Sequence, residues 1–247
     1  MGKYGKHGPL VRAALFAGFC IFANPAEACR LALVLAVDVS SSIDAAEDKL
    51  QRAGLAAALV APDVQTAFMA SQDPVALFIF EWSGRYNQDD ILPWTIITGP
   101  DDLYYAAQTI LDSSRGHDDF PTAMGYALGH AAIQLQNAPT CDFHTIDVAG
   151  DGINNEGFGP AQAYAAFPFD GITVNGLVVE NSAGSVDADP LTFYRDQVTR
   201  GPGAFVEIAN GFADYENAMR RKLIREVTPL IVGESAHELQ SIAILSP

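Results

Sequence analysis

The chain of 247 residues predicts a doubly wound α/β domain: a mostly parallel six-stranded sheet with one antiparallel edge strand and helices on both faces. Three observations carry this expectation. Short apolar runs alternate with stretches of helical periodicity, the order produced when helical crossovers join parallel strands. The runs are largely continuous in their apolarity, as in strands covered on both faces. Two of them, Leu31 to Val37 and His144 to Ala149, end in Asp38 and in Gly150-Asp151, so acidic groups fall beyond the carboxyl ends of strands, where such sheets gather ligands.

Residues 1–28 stand apart. Lys3, Lys6 and Arg12 precede an apolar stretch from Ala13 to Ala23, then Asn24-Pro25 and Ala26-Glu27-Ala28. A basic region, a short apolar core and an A-x-A site mark a secretory signal peptide cleaved near Ala28. The apolar stretch is too short for a permanent membrane span. Cleavage leaves Cys29 first, which opens a lipidated alternative, although the Glu at 27 departs from a lipoprotein signal. The main domain then occupies 29–227.

After the first strand, Ala46, Leu50, Ala53, Ala57 and Val60 recur at helical spacing, and Pro62-Asp63 ends that helix. Val75 to Glu81 reads as the second strand. Ile91 to Ile97 reads as a third, placed near an edge because Pro93 lacks the ladder donor. Their short connection favours an antiparallel hairpin. Leu103 to Leu111 is a short helix, and Met124, Leu128, Ala131 and Leu135 mark a longer one opened by Thr122. Ile172 to Val179 is a buried strand, Pro190 to Thr199 a helix, and Ala204 to Ala209 the last strand. A helix from Phe212 to Val227, with Tyr215, Met219 and Leu223 inward, closes the domain, and 228–247 form a tail without periodicity.

The cysteines report on the compartment. Cys29 lies nine residues before Asp38 and Cys141 ten before Asp151. On adjacent parallel strands aligned by those carboxylates, both cysteines reach the same opposite end of the sheet. Strands about 4.8 Å apart suit the roughly 4.4 to 6.8 Å that a disulfide requires. A Cys29–Cys141 bond in an oxidising compartment is expected.

The candidate site is assembled from Asp38-Val39-Ser40-Ser41-Ser42, Thr122 and Asp151. Carboxylates and small hydroxyls at one sheet end are hard oxygen donors that suit Mg²⁺, and Mn²⁺ on the same chemistry. The bland alternative is that Ser40 and Ser42 cap the next helix. Asp-x-Ser-x-Ser after a strand, Thr122-Ala123-Met124-Gly125 entering a helix, and Asp151-Gly152 after a middle strand together resemble a von Willebrand factor type A domain with its metal-ion-dependent adhesion site. The resemblance implies Ser40, Ser42 and Thr122 as direct ligands, Asp38 and Asp151 acting mostly through water, and a protein partner presenting a Glu or Asp carboxylate to the metal. The chain also resembles an uncharacterised family of exported Gram-negative bacterial proteins built on this domain, which implies the fold but not a partner; the leader pattern sets the expected location as periplasmic or secreted, after cleavage near Ala28.

Other residues invite weighing. Asp147 interrupts an apolar strand, as a support of the site or as a carboxylate satisfied locally. Asn154 and Asn155 serve a turn or reach a ligand. Glu81 and Trp82 line a recognition surface or pack at its rim, and Asp118 and Asp119 tune a cation or face solvent. With 30 acidic against 14 basic residues and a net charge of −16, nucleic acid is an unsuitable partner. No G-x-S-x-G, G-x-x-x-x-G-K-[ST], G-x-G-x-x-G after a strand or H-E-x-x-H occurs. His117, His130, His144 and His237 have no metal-ligand spacing. The expectation is a non-catalytic binding module. One alternative is a metal-dependent phosphohydrolase with Asp38 as nucleophile, although Ser40 stands where such enzymes tend to place a second acid. The other is a scaffold with a purely structural metal.

Overall fold

The computed structural model describes residues 1–2, 29–180 and 189–229; residues 3–28 of the expected signal peptide and most of the expected tail lie outside them. Six strands form one sheet: β1 (Cys29–Asp38), β2 (Val75–Ser83), β3 (Asn87–Ile97), β4 (Cys141–Gly150), β5 (Ile172–Val179) and β6 (Val206–Ala209). Their order is β3-β2-β1-β4-β5-β6. Only β2 and β3 run antiparallel, so β3, with Pro93, is the predicted edge. The hairpin is tighter than expected, because both strands extend into it and leave Gly84 to Tyr86 as the turn.

β1 shows why the sheet is covered twice. Leu31, Leu33, Leu35 and Val37 enter one core cluster, while Ala32, Val34 and Ala36 enter the other. That is the period of two of a strand. The first cluster is closed by helices α1 (Ala45–Val60), α2 (Pro62–Phe68), α3 (Pro100–Asp112) and α7 (Tyr215–Val227). The second is closed chiefly by α4 (Met124–Gln136), α5 (Pro160–Ala166) and the segment made of α6 (Pro190–Phe193) and a π-helical turn, Tyr194–Val198. Among the described residues no helix is long and apolar enough to cross a membrane.

Three expectations are corrected. The face of α1 that packs inward carries Leu55, Ala58 and Leu59 with Asp48, Gln51 and Arg52, whereas Leu50 is 47% exposed. Buried polar groups disguise that face: Arg52 bonds both Asp48 and Glu81, so one cation is shared by two carboxylates. Pro62 does not merely end α1 but starts α2, proline being favoured in a helix's first turn, and Pro160 starts α5 in the same way. The single helix expected over 190–199 is one α turn followed by the π turn.

The register of β1 and β4 pairs Cys29 with Cys141, and a disulfide joins them with Cα atoms 4.4 Å apart. Asp38 does not align with Asp151. The extra residue of the second spacing is Gly150, the last of β4, so Asp151 sits one step beyond the ladder.

Candidate metal centre

Asp38 ends β1 fully buried, and its Oδ1 accepts the amide of Ser40 at 2.7 Å. The loop that follows is tied to its surroundings. Val39 N donates to Trp82 O at 3.0 Å, and Ser41 N to Phe120 O at 2.8 Å. Gln51 Nε2 donates to Asp38 O at 2.8 Å. The Arg115 guanidinium reaches four carbonyls, those of Val39 at 2.6 Å, Ser40 at 2.7 Å, Ile43 at 2.7 Å and His117 at 2.9 Å. Arg115 escapes sequence reasoning, since backbone acceptors leave no motif.

The hydroxyls are free of helix-capping duties. The N-cap of α1 is Asp44, which accepts from Ala46 and Glu47 in a capping box with Glu47. The N-cap of α4 is Ala123, with no side-chain cap bond. Ser40, Ser42 and Thr122 turn toward one another instead. Thr122 Oγ1 donates to Ser40 Oγ at 3.1 Å, Ser40 Oγ lies 3.1 Å from Ser42 Oγ, and Ser42 Oγ donates to Asp151 Oδ1 at 2.7 Å. The fold thus brings all five sequence-predicted residues into one cluster, from buried Asp38, Ser40 and Thr122 to exposed Ser42.

Thr122 is placed by the loop after β4. Asn155 Oδ1 accepts its amide at 2.8 Å, and Asn155 N and Glu156 N donate to its carbonyl at 3.0 and 3.2 Å. Asn154 Oδ1 accepts from Gly125 N at 3.4 Å. These asparagines join the two loops rather than serving a turn alone. Of the other candidates, Glu81 is buried against Arg52 and accepts from Gly116 N at 2.7 Å. Trp82 is fully buried rather than at a rim, and Asp118 and Asp119 are exposed. Asp147 faces Lys222 on α7, with Lys222 Nζ 3.1 Å from its Oδ1.

Burial, and next the charge of Asp151, push the Asp38 carboxyl up to about 7; the Ser40 hydrogen bonds and Arg115 oppose them. Asp38 Oδ2 is buried without a hydrogen-bond partner. Two carboxylates and three neutral hydroxyls at one point give an excess of negative charge and hard oxygens, which fits a divalent cation better than an anion. Among the described residues no group of three or more His, Cys, Asp and Glu side chains could hold a metal, so borderline-soft sites of the zinc-finger kind are not built there. Two concavities among the described residues lie away from the cluster. One of about 410 Å³ lies beside Glu81 and Gly116, and one of about 460 Å³ lies near Arg30, Phe205 and Glu226.

Solved structures of known proteins share this architecture. The von Willebrand factor type A protein from Catenulispora acidiphila is 16% identical, with a TM-score of 0.56 over 81% of this chain and 43% of its own. Proximal thread matrix protein 1 of the mussel byssus, in a structure with a zinc-occupied MIDAS motif, is 16% identical, with a TM-score of 0.58 over 80% of this chain and 48% of its own. The pilus adhesin SpaC from Lactobacillus rhamnosus GG is 12% identical, with a TM-score of 0.56 over 81% of this chain and 31% of its own. This chain therefore spans less than half the length of each, and the likeness is one of fold. No curated protein sequence matches. A family model described as "Protein of unknown function (DUF1194)" matches residues 28–231, most of the chain, which therefore belongs to that family and carries it on a von Willebrand factor type A fold.

Proposed function

We propose that this protein is an exported, non-catalytic binding module that captures an acidic group of a protein partner through a divalent cation, Mg²⁺ or Mn²⁺. The observation that carries the reading is the convergence of Ser40, Ser42 and Thr122 hydroxyls on two carboxylates, with none of the three engaged in capping a helix. Ser40, Ser42 and Thr122 would hold the cation directly, with Asp38 and Asp151 behind them. The cation supplies a Lewis-acidic position that an incoming Glu or Asp completes, because the direct protein donors are neutral. The zinc-occupied MIDAS of the mussel protein supports a divalent ion at such a fold. Export is supported by the basic-apolar leader pattern and by the disulfide.

The test is titration of chelator-treated protein with Mg²⁺ and Mn²⁺ by calorimetry. Saturable binding is expected, weakened at least about tenfold in Asp38→Ala and Thr122→Ala, as is usual when the surroundings of a metal are altered. Absence of binding in the unaltered protein removes the cation mechanism. Hydrolysis of phosphate esters lost in Asp38→Asn would replace the module with an enzyme.

A further inference from the structure

We infer that Tyr194 holds the buried oxygen of Asp38 and fixes this carboxylate at the floor of the site. Its role toward a cation rests on the function proposed above; the contact itself does not. A β-carbon placed on Gly150 would lie 2.7 Å from Asp38 Oδ2 and 2.7 Å from Tyr194 Oη, so both oxygens border one small space at the end of β4. Each is buried and has no hydrogen-bond partner, the other oxygen included. The other carboxylate oxygen, Oδ1, is already engaged by Ser40 N at 2.7 Å. A phenol has one proton to donate and a carboxylate only accepts, so the two orphaned atoms are complementary. No direct bond joins them, so the link runs through one water beside Gly150, hydrogen-bonded to both oxygens.

The surrounding chain is cleared for this ring. A β-carbon on Gly176 of β5 would meet Tyr194 Cδ1 at 2.5 Å, so the ring lies against a strand position that only glycine can provide. Tyr194 begins the π turn, a widened helical geometry that recurs at functional sites. The turn is closed by Thr199 N donating to Tyr194 O at 2.9 Å and by Tyr164 Oη donating to Val198 O.

Tyr194→Phe removes one oxygen. A double-mutant cycle with Asp38→Ala, read as the melting temperature of chelator-treated protein, tests the contact without metal. The shift of the double variant is expected to differ from the sum of the single shifts; additive shifts overturn the contact. Positioning is tested by Mn²⁺ titration. Tyr194→Phe is expected to weaken binding about tenfold, whereas Thr145→Val, which removes a buried hydroxyl lower on β4, opposite Leu33 of β1, leaves it unchanged. Equal effects of the two variants, or no effect of Tyr194→Phe, overturn positioning. An unaltered protein that binds no Mn²⁺ sinks the proposed function and the cation role together, while the cycle still decides the contact.

Discussion

Arg115 shapes the candidate site without belonging to it. Its guanidinium spans the carbonyls of Val39, Ser40 and Ile43, which fixes the loop after β1 from which the Ser40 hydroxyl meets Thr122 and the Ser42 hydroxyl meets Asp151. Replacing it with Met leaves these carbonyls to be satisfied by water, which reaches only some of them because the residue is half-buried. Arg115→Met is expected to cost roughly 2–4 kcal/mol, on the scale of one or two charge-assisted hydrogen bonds. Urea unfolding measures it, and a loss below about 0.5 kcal/mol, typical of an ordinary surface substitution, would refute the role. Asp38, Ser40, Ser42, Thr122 and Asp151 were legible in the sequence because their side chains meet through short motifs at element ends. Arg115 and Tyr194 were not, because one reads backbone and the other depends on two distant glycines.

At the scale of elements, the link between β1 and β4 matters most, since these central strands carry Asp38 and lead into Asp151. Their disulfide spans 112 residues of sequence. The chain-entropy model assigns about 4–5 kcal/mol to closing a loop of that length. A Cys29→Ala/Cys141→Ala variant is expected to lose stability of that order in urea, with the slope of the transition altered only modestly. Unchanged stability on reduction would show that the pairing does not form in solution. The pairing of β1 with β4, the antiparallel edge and β5 could be read from sequence because cysteine spacing, apolar runs and Pro93 report register, burial and ladder position. The inward face of α1 could not: it is written in Asp48, Gln51 and Arg52, whose burial is offset by the Asp48–Arg52–Glu81 ion pairs rather than by apolarity. Helices α2 and α5, seven residues each, are too short to show a period.

For the molecule as a whole, acidity extends into the core. Lys222, fully buried, lies 3.1 Å from Asp147 Oδ1 and 2.7 Å from Glu226 Oε1, so one cation serves two acids. Around them, Asn175 Nδ2 donates to Glu226 at 2.7 Å, the Phe205 ring lies 4.7 Å from the ammonium, and the Tyr215 hydroxyl is buried without a hydrogen-bond partner. Burial, and after it the charge of Glu226, raise Asp147 to about 8, with Lys222 pulling the other way. An unfolded Asp titrates near about 4. Between those values the folded chain binds a proton that the unfolded chain has released, so this group's stabilisation is full below about pH 4 and is lost as pH rises through about 8. Asp63, Asp102 and Asp214 are held below their usual range by hydrogen bonds, and they act oppositely, losing their contribution as pH falls below about 4. Stability is therefore expected to peak in mildly acidic solution and decline toward pH 8 and above, a trend reinforced by the net charge of −16. Urea unfolding of chelator-treated protein from pH 4 to 9 measures it, and Asp147→Asn should flatten the decline by removing the titrating group while preserving its shape. Stability that climbs from pH 5 to 8 in both proteins would mean that Lys222 neutralises Asp147 outright, leaving the buried surplus of charge on Glu226.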